Sequence, residues 1–296
     1  MTGIKRKKRF SFNLYAAIVF VVLVLYSVSL LTVIGWGLLM ALKDYDEFNL
    51  TGVALPTRLV FRNFITAFDH LFVTVRSGAS MKTFFIEDMF LTSLLYAGGC
   101  ALTQTTVICV TSYCTARYKF FYSKVLTTVV IVTMFIPIVG ALPSQIQMAK
   151  STGLYGSVWG LWIMKANFLG MYFLIFQAKF KALPQEFTDA ATVDGASHMS
   201  VFLKIMLPMA STTFLMVFLL QFISYWNDYM TPLIYMPSSP TMAYGLLLFR
   251  DSNENAVSNL PVQVSGAVML LIPILLIFLL FHRRIYGNLT FGGLKD

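Results

Sequence analysis

Residues 189–208 read DAATVDGASHMSVFLKIMLP. This is a partly polar run in a chain made mostly of apolar segments, and its order is specific. Small and acidic residues come first (Asp189, Ala190, Ala191, Asp194), then Gly195, then an apolar run that closes on Pro208. Just upstream, "PQEFTDAATV" contains good helix formers, and Pro184 suits a first helical turn. Gly195 can end that helix by taking a positive φ. Ser197 can cap a second short helix leading into Met206. The expectation is a helix, a glycine break and another helix, inside a polar segment spanning 179–208. Loops of that length without structure of their own are uncommon unless they have a task.

The flanks explain why the run stands out. Of 296 residues, 57% are hydrophobic and 12% charged, against roughly 25% charged in soluble domains. A helix needs about 20 mainly apolar residues to cross the hydrocarbon, and six segments qualify: 14–42, 90–114, 125–148, 157–178, 209–233 and 261–282. The expected fold is an all-α integral membrane protein of six transmembrane helices, forming a single permease domain over 1–296. The first apolar run is too long for a cleavable signal sequence and reads as a span. The second and fourth are rich in Thr, Ser and Gly, which suits helices packed closely on other helices.

Lys and Arg set the orientation. With the amino terminus inside, 14 of the 22 basic residues are cytoplasmic, including the run Lys5 to Arg9, then Arg117, Lys119, Lys124, Lys179, Lys181 and Lys204. Most outer charges fall in the long first loop, 43–89, which weighs little in this rule. Both termini and the loop 179–208 are expected on the cytoplasmic side. The net charge of +9 is therefore a topology signal and does not indicate nucleic acid. Cys100, Cys109 and Cys114 lie in or at the end of one apolar segment and read as buried small residues. There is no phosphate-binding loop, no zinc-binding helix signature and no nucleophile–base constellation. The chain is expected to be no enzyme and to hold no cofactor or metal.

The run 189–208 resembles the EAA motif of ABC importer permeases. Asp189-Ala190-Ala191, Gly195 and Ile205-Met206-Leu207-Pro208 stand at that motif's spacing, with Asp189 in place of the usual Glu. "FLTSLL", "YCTARYKF", "MFIPIVGALP", "WNDYMTPLIY" and "GNLTFGGLKD" are similar, in order, to stretches of the MalG-like carbohydrate permeases. The resemblance covers nearly everything from Phe84 onward. It implies the type I importer fold and a bacterial cytoplasmic (inner) membrane location. It also implies a second homologous permease subunit, two cytoplasmic ATPase subunits that bind ATP-Mg, and an extracytoplasmic solute-binding protein. The cargo it implies is an oligosaccharide. The loop then corresponds to the coupling helix, with Glu186, Asp189, Ala190, Ala191, Asp194, Gly195, Ile205, Leu207 and Pro208 as the residues of ATPase coupling. Gly292, Gly293, Leu294 and Lys295 correspond to a tail that reaches between the ATPases.

Two further groups have two readings each. Lys165, inside the fourth apolar segment, is either a contact for a sugar, most useful if the sugar is acidic, or a lysine that snorkels or pairs with a partner subunit. Trp226, Asn227 and Asp228 suit the apolar faces and hydroxyls of a sugar, or else form an interfacial belt with a structural hydrogen bond. A self-contained secondary transporter or channel would also fit six spans. Such carriers often show internal repeats and several midplane ionisable groups, and here no repeat is evident and Lys165 is nearly alone.

Overall fold

The computed structural model describes residues 14–77, 80–118, 121–136, 140–252 and 257–286. The sequence suggests one domain; the chain packs as two compact units, 1–67 with 253–268, and 68–252 with 269–296.

The first unit holds α1 (Leu14–Ala41) and α2 (Tyr45–Thr51). At ~1.5 Å per residue, the 28 residues of α1 run about 42 Å, longer than the ~30 Å hydrocarbon core. Almost all of its side chains are exposed, although they are Leu, Val, Ile and aromatic. A helix apolar on every side has lipid or another membrane helix as its natural surroundings. Lys43, expected as an outer-loop charge, is wholly buried. Its ammonium donates to the carbonyls of Gly52 (2.8 Å) and Ala54 (2.7 Å). Asn63 donates to the carbonyls of Ala41 and Lys43, and Ser265 to that of Ala41. The two bonds to Ala41 satisfy the last carbonyl of α1, which has no partner within the helix.

After α3 (Arg62–His70), the second unit opens with a hairpin, β1 (Val73–Ser77) and β2 (Ser80–Phe84), antiparallel with Val73 opposite Phe84. The all-helical reading missed this hairpin. It is built from β-branched and mixed polar residues outside the apolar segments. The unit is organised by α4 (Ile86–Arg117), which packs against α7 (Val158–Lys165), α8 (Met171–Ala182) and α12 (Ser211–Trp226). Gly99 allows close approach. A Cβ at Gly99 would lie 1.8 Å from Cε2 of Trp162, whose indole N–H donates to the carbonyl of Leu95 at 3.0 Å. Cys100 and Cys109 of α4 are buried and Cys114 is half-buried, all as free thiols.

The expected spans differ in continuity. Among the described residues, three helices are long and apolar enough to cross a membrane alone: α1, α4 and α15 (Leu260–Tyr286). A fourth span results if the bent pair His198–Met209 and Ser211–Trp226 counts as one. The segment expected at 125–148 is divided into α5 (Phe121–Phe135) and α6 (Leu142–Ser151), with Pro143 in the first turn of α6 and Gly140 at φ 78°. That expected at 157–178 is divided into α7 and α8 around Gly170, at φ 116°. That expected at 209–233 stops at Trp226 and resumes as α13 (Met230–Tyr235). The remaining helix on this side is α14 (Met242–Arg250). Apolar composition alone cannot show these breaks, because a window average ignores the backbone geometry imposed by a single Pro or Gly.

Candidate coupling loop

The loop 179–208 folds as expected from its turn chemistry. Helix α9 (Glu186–Val193) has Gln185 at its N-cap position. Pro184 therefore precedes the cap rather than occupying the first turn. Glu186 and Asp189 lie in that first turn, where negative charge opposes the positive end of the helix. At the other end, Gly195 N–H donates to Thr192 O (3.0 Å) and Ala196 N–H to Ala191 O (2.9 Å). This is a Schellman closure, and Gly195 takes φ 78° with open space around it. The Ser197 hydroxyl then accepts from Ser200 N–H at 3.3 Å, capping α10 (His198–Val201).

The apolar end of the stretch widens into a π-helical turn at Phe202–Met206, then closes as α11 (Leu207–Met209). Leu207 N–H donates to Phe202 O, a five-residue step. Pro208 has no N–H to offer Lys204, and its ring would crowd that carbonyl in a regular helix. The wider turn relieves both problems. At Ala210 the chain bends by 75° into α12.

The loop presents one face and anchors the other. Glu186, Asp189, Ala190, Asp194 and Gly195 are exposed, as are Phe187 (48%) and Val193 (88%). Ala191 is different. It packs back against the buried cluster of Ile108, Tyr113, Phe180, Phe202 and Met206, together with Ile205 and Leu207. The two alanines therefore divide the work: Ala190 keeps the outer surface shallow, and Ala191 lets α9 lie close to its own base. His198 packs edge-on against Tyr118 at 5.4 Å.

Arg117, the last residue of α4, was read from the sequence only as a topology charge. Its guanidinium donates to the Leu183 carbonyl (2.8 Å) and to Gln185 Oε1 (2.6 Å), and approaches Met206 Sδ at 3.8 Å. It thus grips both the entry and the exit of the loop. These partners stand 66 to 89 residues away, so no local spacing pointed to them.

The second predicted group lies on α7, α12 and α13. Lys165 ends α7 rather than sitting mid-span, at the helix end where a cation is favoured. Its ammonium is 3.4 Å from Thr231 Oγ1 and 5.9 Å from the Tyr225 ring centroid. Asp228 accepts from Tyr96 OH (2.9 Å) and from Thr231 N–H (3.0 Å). Tyr225 OH donates to Gln104 of α4. Lys165, Asp228 and Thr231 are thus brought into one polar group. Trp226 is not part of its surface. It is 1% exposed, stacks on Phe222, and donates to the Leu270 carbonyl at 3.1 Å. The idea of Trp226 as a sugar platform is corrected by its burial in the core. Asn227 is exposed, but its amide donates to Ile223 O, one turn back (2.9 Å).

The profile of the family described as "Binding-protein-dependent transport system inner membrane component" matches residues 108–289, which contain the whole coupling loop. The chain belongs to this family. Among similar proteins is the maltodextrin transport system permease protein MdxG of Bacillus subtilis, 25% identical over 224 residues, 72% of this chain and 79% of that protein. Another is the diacetylchitobiose uptake system permease protein NgcG of Streptomyces coelicolor, 23% identical over 286 residues, 95% of this chain and 89% of that protein. A solved bacterial ABC transporter involved in the import of the acidic polysaccharide alginate has a chain of similar fold. Its TM-score is 0.72 at 19% identity, covering 94% of this chain and 99% of that one. This permease is therefore an integral membrane protein with the type I ABC importer fold. The permease tail, with Gly292, Gly293, Leu294 and Lys295, lies outside the described residues.

Proposed function

We propose that this permease is one of two membrane subunits of an ATP-driven importer, and that α9 is the rigid element through which the ATPase subunits move it. ATP-Mg is bound and hydrolysed by those separate cytoplasmic subunits. An extracytoplasmic solute-binding protein delivers the cargo, and both termini are cytoplasmic. The tail 292–295 belongs to the same contact with the ATPases. One observation carries the reading: α9 is closed by Gly195, tied to the membrane helices by Arg117 and Ala191, and left exposed along its acidic and apolar outer face. A short helix held that firmly transmits displacement instead of absorbing it. The 75° elbow at Ala210 turns that displacement into the axis of α12.

The cargo is an oligosaccharide, supported by the sugar-transport names of the relatives. The polar group on α7, α12 and α13 is its contact surface in this chain. Asp228 is satisfied by two neutral donors, and Lys165 forms no ion pair among the described residues. An ammonium that gives one hydrogen bond, to a hydroxyl at 3.4 Å, and lies 5.9 Å from the Tyr225 ring centroid retains donors for a carboxylate. That favours an acidic sugar.

The test of coupling is Gly195→Val. Open space surrounds Gly195, so the effect is a backbone one: a β-branched residue resists φ 78°. Uptake by the assembled importer is expected to fall about tenfold or more, the factor that ~1.4 kcal/mol of αL strain implies. Gly195→Asn, which tolerates that conformation, should keep most of it. Wild-type uptake with valine would overturn the docking role.

A further inference from the structure

Helices α4, α5 and α8 border an open cleft of about 350 Å³, at the small end of the ~300–1,000 Å³ range of ligand pockets. Gln177 and Thr115 line it from α8 and α4, both buried. The Gln177 amide donates to Thr115 Oγ1 (3.2 Å) and Thr127 Oγ1 (2.8 Å), and its Oε1 accepts from the Lys181 ammonium (3.2 Å). Gln177 therefore joins three helices and fixes one lysine at the cleft. Ser123, Lys124 and Thr128 complete the lining.

The lining carries two ammonium groups and no carboxylate; the hydroxyls of Thr115, Thr127 and Thr128 already donate to backbone carbonyls of their own helices, which leaves the ammonium groups as the main donors for a ligand. Among the described residues neither lysine forms an ion pair. Lys181 uses one of its three N–H donors on Gln177. Such a set suits an anion with several oxygen acceptors, and phosphate has that chemistry.

Helix α5 points to the source of the phosphate. Lys124, Thr127 and Thr128 are followed at helical spacing, on the same face, by Ile131, Met134 and Phe135. Those three are exposed, at 41%, 45% and 81%. At ~1.5 Å per residue, Phe135 lies roughly 16 Å beyond Lys124, about half of the ~30 Å hydrocarbon thickness. One face thus carries a basic polar end and then an apolar strip, the order of a phospholipid's head and chains. A free phosphate would not use the strip. We infer that this cleft binds the phosphate of an anionic phospholipid of the leaflet on the coupling-loop side, with its acyl chains along α5.

The test uses the full-length chain purified in neutral detergent, with retained lipid measured by native mass spectrometry. The probes are phosphatidylglycerol, phosphatidylcholine and inorganic phosphate. Phosphatidylglycerol should be held more tightly than phosphatidylcholine. Its affinity should fall about fivefold for each of Lys124→Gln and Lys181→Gln, and also for Ile131→Ser with Phe135→Ser. Lys124→Arg with Lys181→Arg keeps the charge and should retain the lipid, so that loss in the glutamine variants is not loss of fold. Equal affinity for the two lipids, or no change in the glutamine variants, overturns the inference. Inorganic phosphate that binds as tightly as phosphatidylglycerol and ignores the Ile131 and Phe135 changes would make this a free-anion site, and the lipid assignment would be wrong.

Discussion

At the scale of single residues, two charges decide most. Arg117 places a forked donor between the carbonyl that ends α8 and the amide that opens α9. Arg117→Ala removes a charge-assisted bond and leaves the Leu183 carbonyl poorly paired, a loss of about 1–2 kcal/mol in the loop's attachment. ATP-dependent uptake by the assembled importer should drop while the chain still inserts. Arg117→Lys should rescue little, since one ammonium cannot reproduce the fork. Uptake and ATPase activity both unchanged in Arg117→Ala would show that the loop needs no such clamp. Lys165 is tested by competition between neutral and uronate oligosaccharides. Lys165→Ala should weaken uptake of the acidic sugar selectively, by about tenfold, the low end of a charged hydrogen bond. A wild type that carries only neutral sugars removes the acidic preference and leaves the importer reading standing.

At the scale of elements, the meeting of α4 and α7 rests on a glycine pair whose members are not equivalent. A side chain at Gly99 would overlap the Trp162 indole, whereas one at Gly98 meets nothing within 4 Å. Gly99→Val should destabilise the purified chain by about 1–3 kcal/mol or more through overpacking, visible as a lower Tm. The tryptophan emission should shift to the red as Trp162 loses its seat. Gly98→Ala should be neutral or slightly stabilising, because alanine is the better helix former by ~1 kcal/mol. Equal effects at the two positions would mean that the packing of α7 on α4 is not as described. The π turn before Pro208 follows the same logic: a residue that breaks the regular ladder has its conflict relieved by the element around it.

At the scale of the whole molecule, exposure is the informative quantity. Helices α1, α5 and α15 present long apolar faces, and the acidic outer face of α9 is uncovered. Under the proposed function, lipid and a second permease would cover the first, and ATPase subunits the second. Purification from the native membrane in mild detergent should therefore bring ATPase subunits and a second permease with the chain. Ion-driven uptake by this chain alone in liposomes would favour a self-contained carrier and overturn the importer reading.

What the sequence determined by itself was whatever depends on near neighbours. The helix–Gly195–helix turn, the Ser197 cap and the membrane character follow from residues within a turn or two, or from bulk composition. Those terms are local, so a linear reading captures them. Only the tertiary structure decided that Ala191 faces inward, that Trp226 is buried under Leu270, that Lys43 is a buried clip and that Arg117 grips a loop more than 60 residues away. In each case the deciding partner is distant in the chain. A window of sequence contains the side chain but not the carbonyl or cluster that gives it a role. The broken third, fourth and fifth apolar segments lie between these limits. Their Pro and Gly residues were visible, but whether such a residue bends, widens or interrupts a helix depends on which neighbouring helices can take up the freed backbone groups.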